Sequence, residues 1–260
     1  MQIKKGDIVG RYSYNSDILF FVDEIIEKEN KNFIAILKGL NIRIEADAPI
    51  NDLRVINIEQ AEKFVRSVEN NFYNQISKHR NIENTGKILH LDGDRRYSEK
   101  TIKYYKKMGL NAIVKNITES KQPQLVVPLL QKYQPDILII TGHDSMIRNG
   151  KNYLDIHNYR NSKYFVNSVV NARRWQNSSD KLVIFAGACQ SFFEAIMEAG
   201  ADIASSPGRI LIDFIDPIIV AQKIATTQNN LYISSKEIAS LIKEGERGIS
   251  GIGVKGKMTA

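Results

Sequence analysis

The stretch LVIFAGACQSFFEA, Leu182 to Ala195, holds the chain's one cysteine, Cys189. Four large apolar residues lead into three small ones, then a thiol, then a helix-like run. A second stretch, DILIITGHDS from Asp136 to Ser145, has the same build and ends on His143. Short apolar runs that do not alternate with polar residues read as strands covered on both faces, the mark of a parallel sheet.

The same rhythm extends on either side. Strands read as KILHLDG, NAIVKNI, DILIITG, KLVIFAGA and ADIASSP, beginning at Lys87. Helical patterns lie between them over Tyr97 to Met108, Pro123 to Tyr133, Tyr159 to Trp175 and Ser191 to Ala199. Gly109 and Gly200 stand just past helix ends, where a left-handed residue is expected. Residues 87–260 are therefore expected to form an α/β domain with a doubly wound, mostly parallel sheet. Its Gly-rich basic end, RGISGIGVKGKMTA, reads as a flexible tail.

The first part of the chain differs. Residues 1–53 alternate short strand patterns with turns, as in GDIVGRYSY, ILFFVDEIIE, FIAILKGL and IRIEADAP. Asn15, Asp17, Asn30 and Asn32 supply the turn chemistry. A small SH3-like β-barrel is expected there. Residues 54–86 read as a helical connector and linker. Ala61, Phe64, Val65, Val68 and Phe72 form one apolar face of that helix.

Composition narrows the class. A chain of 260 residues with 43% hydrophobic and 25% charged residues can bury a sizeable core. Its most apolar run, RILIDFIDPIIVAQKIA, is broken by Asp213, Asp216 and Pro217, so no membrane span is expected. The opening MQIKKGDIVG has no apolar export signal. One cysteine makes no internal disulfide, which suits a reducing compartment. The net charge of +7 reads as a solvated basic surface, because no aromatic-plus-basic nucleic-acid motif accompanies it.

In doubly wound sheets, function gathers beyond the carboxyl ends of the strands. Those ends carry Asp92 and Asp94, His143 and Asp144, Cys189 and Gln190, and Ser205 and Ser206. A thiol is mostly protonated at neutral pH, and a neighbouring imidazole can take its proton as it attacks a carbonyl. Backbone amides at such a turn can hold an oxyanion. Small residues at Gly187 and Ala188 leave room for the substrate carbonyl. Taken alone, Cys189 is equally well a small buried hydrophobe. The imidazole at the preceding strand end favours the nucleophile.

His143 lies 46 positions before Cys189, each closing an apolar block. This order resembles the caspase-like cysteine peptidases, in which one apolar block ends in His-Gly and the next in Ala-Cys. Here Asp144 replaces the glycine. Longer segments are GDIVGRYSYNSDILFFV, LKGLNIRIEADAPINDL, ILHLDGD, PDILIITGHD, NYRNSKYFV, LVIFAGACQSFFEAI and GADIASSP. Together they resemble the YabG family of sporulation-specific cysteine peptidases.

The resemblance implies a caspase-like catalytic domain that needs no cofactor or metal. Cys189 is the implied nucleophile and His143 its proton acceptor and donor, with the backbone of Cys189 and Asp144 as the oxyanion hole. It also implies spore-coat and cortex-associated protein substrates, cleavage beside arginine, and self-cleavage. The place of action would be the mother-cell cytoplasm, around the developing spore coat. An arginine pocket calls for a carboxylate. Asp94 and Asp92, at the end of the first strand of the α/β domain, are the candidates, with Asp144 and Asp155 behind them.

Other readings are weaker. His157 lies in a polar loop and competes with His143 for the base. His90, inside an apolar strand, reads as a hydrogen-bonded core residue, and His79 as a surface one. NYRNSKYF either shapes a substrate cleft or caps a helix through Asn158 or Asn161. A receiver-like phosphoacceptor would need a lysine where the chain has ASSPGR. A metal-dependent hydrolase would draw on His90, Asp92, Asp94, His143 and Asp144.

Overall fold

The computed structural model describes residues 3–28, 32–73, 84–147 and 152–259. His79 and the start of the expected linker lie outside them, as do the side chains of Val68 and Phe72. The chain divides into two compact units, Met1–Ile76 and Ser77–Ala260.

The smaller unit contains β1 (Ile8–Arg11), β2 (Phe20–Lys28), β3 (Asn32–Gly39), β4 (Glu45–Pro49), β5 (Leu53–Val55) and helix α1 (Ile58–Tyr73). Its strands form one antiparallel sheet in the order β4-β3-β2-β1-β5. Alternation buries Val9, Phe20, Val22, Ala35 and Leu37 in a single cluster with Ala48 and Leu53. Asn15 and Ser16 both take positive φ, at 51° and 55°, in the turn after β1. A short 3-10 turn, Ile50–Asp52, joins β4 to β5. Helix α1 buries Ala61, the first residue of the expected apolar face.

The larger unit begins with β6 (Ile88–Asp92), α2 (Arg95–Met108), β7 (Ala112–Asn116), α3 (Gln122–Tyr133) and β8 (Ile137–Thr141). It continues with α4 (Ser162–Trp175), β9 (Val183–Ala186), α5 (Phe193–Glu198), β10 (Ile203–Ser205) and α6 (Asp216–Thr226). β11 (Tyr232–Ile233), α7 (Ser235–Ala239), β12 (Ile249–Gly251) and β13 (Val254–Lys255) close it. The main sheet runs β12-β10-β9-β8-β6-β7. All of its pairings are parallel except that of β10 with β12.

Every residue of β6, β8 and β9 is buried, including the polar His90 and Asp92 of β6. Leu89, Leu91, Leu138, Ile140 and Ile184 face Val126, Leu130, Phe165 and Val169 of α3 and α4 in one core. His90 points to the other face, where it bonds the Tyr105 hydroxyl at 2.9 Å and Thr141 Oγ1 at 2.8 Å. Gly109 ends α2 in the left-handed conformation, with φ 68°.

The C-terminal stretch is not a flexible tail. β12 pairs with β10, Ile249 and Val254 are buried, and Lys257 Nζ donates to the carbonyls of Ser179 and Asp180. The glycines there mark close backbone approach: a Cβ on Gly251 would stand 2.2 Å from the Asp202 carbonyl oxygen. Among the described residues, no helix is long and apolar enough to cross a membrane.

Candidate active site

Sheet register brings the two motifs together. Asp92 pairs with Thr141 and Ile140 with Ala186. His143 and Cys189 each follow that last pair by three residues, in the turns that leave two neighbouring strands. Both side chains are fully buried. The sheet order reverses between β6 and β8, the place where such folds put their sites. A cavity of about 580 Å³ opens at the opposite, amino ends of β8 and β9, beside Gln134, Asp136, Lys181 and Leu182.

The turn after β8 is pinned on both sides of His143. Its amide donates to Glu119 Oε1 at 2.7 Å, and its carbonyl accepts from Asn161 Nδ2 at 2.8 Å. Glu119 can seat there because Gly93 and Gly142 lack side chains. A Cβ on either would come within 2.1 or 2.2 Å of the same carboxylate oxygen. The imidazole stacks on Tyr97 at 5.4 Å, and Tyr97 stacks on Phe214 at 5.1 Å. His143 Nε2 lies 3.7 Å from Asp94 Oδ2.

Asp94 serves the fold in two further ways. It caps α2, accepting from the amides of Arg96 and Tyr97, and it pairs with the Arg96 guanidinium at 2.8 Å. Burial alone would raise its carboxyl. The Arg96 hydrogen bonds and the charges of His143 and Arg96 outweigh that, holding it well below the usual carboxylate range. Asp92 is fully buried and accepts from the Asp94 amide at 2.9 Å and Thr141 Oγ1 at 3.0 Å. The two carboxylates expected to face a substrate arginine are thus committed inside the fold in this conformation.

The turn carrying Cys189 is bent by backbone conformations that side chains seldom adopt. Gly187 has φ 115° and Gln190 φ 54°. The Gln190 amide donates to Ser206 Oγ and to the Ile210 carbonyl, both at 3.1 Å, and its Oε1 accepts from Met146 N at 3.3 Å. These bonds hold a strained residue in place, as is common beside reactive groups. Helix α5 begins at Phe193, two residues later than the expected start at Ser191, and the thiol sits on the turn before it. The Ile212 amide donates to Cys189 Sγ at 3.0 Å, and Sγ lies 3.4 Å from the Ile212 carbonyl oxygen.

Asp144 fastens the two turns to each other. Fully buried, it accepts from Ser162 Oγ at 2.5 Å, Asn161 N at 2.8 Å, Ser145 N at 2.9 Å and Ser191 Oγ at 2.9 Å. Ser191 Oγ accepts from the Ala188 amide at 2.9 Å, and Ser162 Oγ from the Phe192 amide at 2.8 Å. One carboxylate thereby reaches, through two hydroxyls, amides on both sides of Cys189. Burial pushes Asp144 up to about 6, against the opposing pull of its four donors. Asp144 appears in the sequence as an oxyanion-hole residue; its side chain has this separate task.

Sequence reading passed over Glu119, Ser162 and Ser191. Gly93 and Gly142, at the same position past two neighbouring strands, are the signal for Glu119. Asn161 starts α4 without a side-chain capping bond, because its amide group is spent on His143. Asp155 caps a short 3-10 turn, and His157 is exposed within it. Among the described residues, no three His, Cys, Asp or Glu side chains are grouped so as to hold a metal ion.

A parallel α/β unit with a histidine and a cysteine on adjacent strand tips, clasped by one buried carboxylate, has the parts of a hydrolase. A sequence profile described as YabG peptidase U57 matches residues 4–260, and the chain belongs to that peptidase family. The Sporulation-specific protease YabG of Bacillus subtilis (strain 168) is 37% identical over 281 residues, covering 98% of this chain and 96% of the relative. Among solved structures, a LuxR-family two-component response regulator from Aurantimonas sp. SI85-9A1 aligns with 45% of this chain and 71% of its own. Its identity is 16% and its TM-score 0.28, too low to bear on fold or function.

Proposed function

We propose that this chain is a cysteine endopeptidase that cuts beside arginine in spore-coat and cortex-associated proteins during sporulation, in the mother-cell cytoplasm. The observation that carries the cysteine mechanism is the register placing His143 and Cys189 three residues past one strand pair. Cys189 Sγ attacks the scissile carbonyl as its proton passes to His143. The C–N bond then breaks, and the imidazolium returns the proton to the leaving amine. Water, deprotonated by His143, adds to the thioester and regenerates the thiol. Asp94 would steady the imidazolium that forms in between. The amides of Cys189 and Asp144 would hold the oxyanion.

The strand order β7-β6-β8-β9-β10 with antiparallel β12 supports a caspase-like reading of the larger unit. The order of β1 to β5, with a 3-10 turn before β5, supports an SH3-like barrel in the smaller one.

The test is cleavage of a peptide library by the wild-type chain, Cys189→Ala and His143→Ala, with sites mapped by mass spectrometry. Cuts beside arginine that vanish in both variants, with unchanged urea unfolding, are expected. Cuts that persist in Cys189→Ala would end the cysteine mechanism.

A further inference from the structure

The segment from Ser206 to Ile212 crosses the candidate active site and is held there at several points. It meets the Gln190 amide through Ser206 Oγ and the Ile210 carbonyl, and Cys189 Sγ through the Ile212 amide. Within it, Arg209 takes φ 52°, unusual for a residue with a side chain. Its guanidinium lies 5.8 Å from the centre of the Tyr159 ring and 5.7 Å from that of Phe192, and those two rings stack at 5.1 Å. Arg209 Nε donates to the Tyr159 hydroxyl at 2.8 Å, and Nη2 forms an ion pair with Glu194. The Tyr159 hydroxyl in turn donates to the Tyr153 carbonyl at 2.9 Å, so it accepts from Arg209 without conflict.

The Arg209 guanidinium thus rests against an aromatic pair and a carboxylate. A stacked aromatic shelf suits a flat, weakly hydrated cation, and a carboxylate suits the forked donors. A lysine ammonium would lose both the stacking and the fork. Phe192 and Glu194 follow Cys189 by three and five residues. The Phe192 amide is tied through Ser162 to the Asp144 clasp, so the shelf and the thiol share one scaffold. Glu194 is 54% exposed, so the shelf is open to solvent on that side.

We propose that Tyr159, Phe192 and Glu194 form the subsite for an arginine side chain of the protein substrate, and that Arg209 fills it as an internal stand-in. The subsite reading rests on the arginine-directed cysteine peptidase proposed above. It replaces Asp92 and Asp94, whose carboxylates are committed, with a carboxylate that already holds a guanidinium. Because one segment both fills the shelf and covers Cys189, an arginine-bearing substrate must displace the two together.

The test is binding, read without any bond being cut, so that failure of the catalytic mechanism leaves it intact. N-acetyl-arginine amide and its neutral citrulline counterpart are titrated calorimetrically into the full chain carrying Cys189→Ala, with and without Arg209→Ala or Arg209→Gln. Removing Arg209 should tighten arginine-amide binding by about tenfold or more, with citrulline amide at least about tenfold weaker. Adding Glu194→Gln should abolish the gain. Trp175 fluorescence during urea unfolding checks that each variant is folded. Equal arginine-amide binding with and without Arg209, or a gain that survives Glu194→Gln, would overturn the proposal. So would the unfolding of both Arg209 variants, because Arg209 would then be a structural clamp. Loss of the cysteine mechanism is read separately, from peptide cleavage persisting in Cys189→Ala.

Discussion

Ser191→Ala removes one hydroxyl and should cost far more than a surface serine. Its Oγ donates to Asp144 Oδ2 and accepts from the Ala188 amide, each at 2.9 Å, and the residue is fully buried. A hydrogen bond to a charged group contributes about 1.5–3 kcal/mol, and a stranded buried amide costs about 1–3 kcal/mol. Partial relaxation, including easier protonation of Asp144, offsets some of this. The expected loss is about 3 kcal/mol, a large share of the ~5–15 kcal/mol that holds a typical domain together. The chain has one tryptophan, Trp175, in α4 of the larger unit, so its fluorescence reports the unit that carries the site. With a urea slope of about 2 kcal/mol per molar, the midpoint should fall by about 1.5 M. Ser205→Ala is the control. Ser205 is equally buried, but its Oγ has no hydrogen-bond partner among the described residues. Its replacement should change stability by less than about 0.5 kcal/mol. If the two variants unfold at the same urea concentration, the Asp144 clasp does not hold the turn and the reasoning fails.

Asp144 also predicts a pH dependence. Its folded-state value is raised from 3.8 to about 6, so its contribution is complete below pH ~4 and lost as pH rises through about 6. The stability of the wild type relative to Asp144→Asn should therefore fall by about 2–2.5 kcal/mol between pH 4 and 7. A gap that is flat or widens across that range, measured by urea unfolding, contradicts the raised value. Gly187→Ala should destabilise by about 1–3 kcal/mol and slow peptide cleavage, since φ 115° strains any side chain and the new Cβ would stand 3.2 Å from Ser205 Cβ. Normal stability and activity in that variant would mean that the turn before Cys189 relaxes freely.

The strands that carry the site were legible in the chain itself, because a strand covered on both faces must be mostly apolar, as β8 and β9 are, and as β6 is apart from His90 and Asp92. The candidate pair was legible for the same reason: a thiol and an imidazole, each ending such a run, stand out against it. Alternating apolar residues likewise marked β1 to β3, where one face of the sheet is buried. Three things were not legible. Helix α6 lies within the run RILIDFIDPIIVAQKIA, where Asp213, Asp216 and Pro217 read only as breaks in a membrane span, although Asp216 and Pro217 open the helix. The glycines of the last fourteen residues read as flexibility, because composition does not show the backbone of β10 lying against β12. The carboxylates read by position alone, so Asp92 and Asp94 looked available to substrate, and Asp144 looked like a departure from a motif.

Periodicity along the chain determined which segments became strands and helices, and which residues ended them, because burial acts on each segment locally. Tertiary structure alone decided what those residues do. Whether a carboxylate lies beside a histidine, clasps two turns or holds a guanidinium depends on groups 15 to 50 positions away, as with Glu194 and Arg209, or Asp144 and Ser191. Such distant pairs are set by sheet register and loop closure, which no local pattern records.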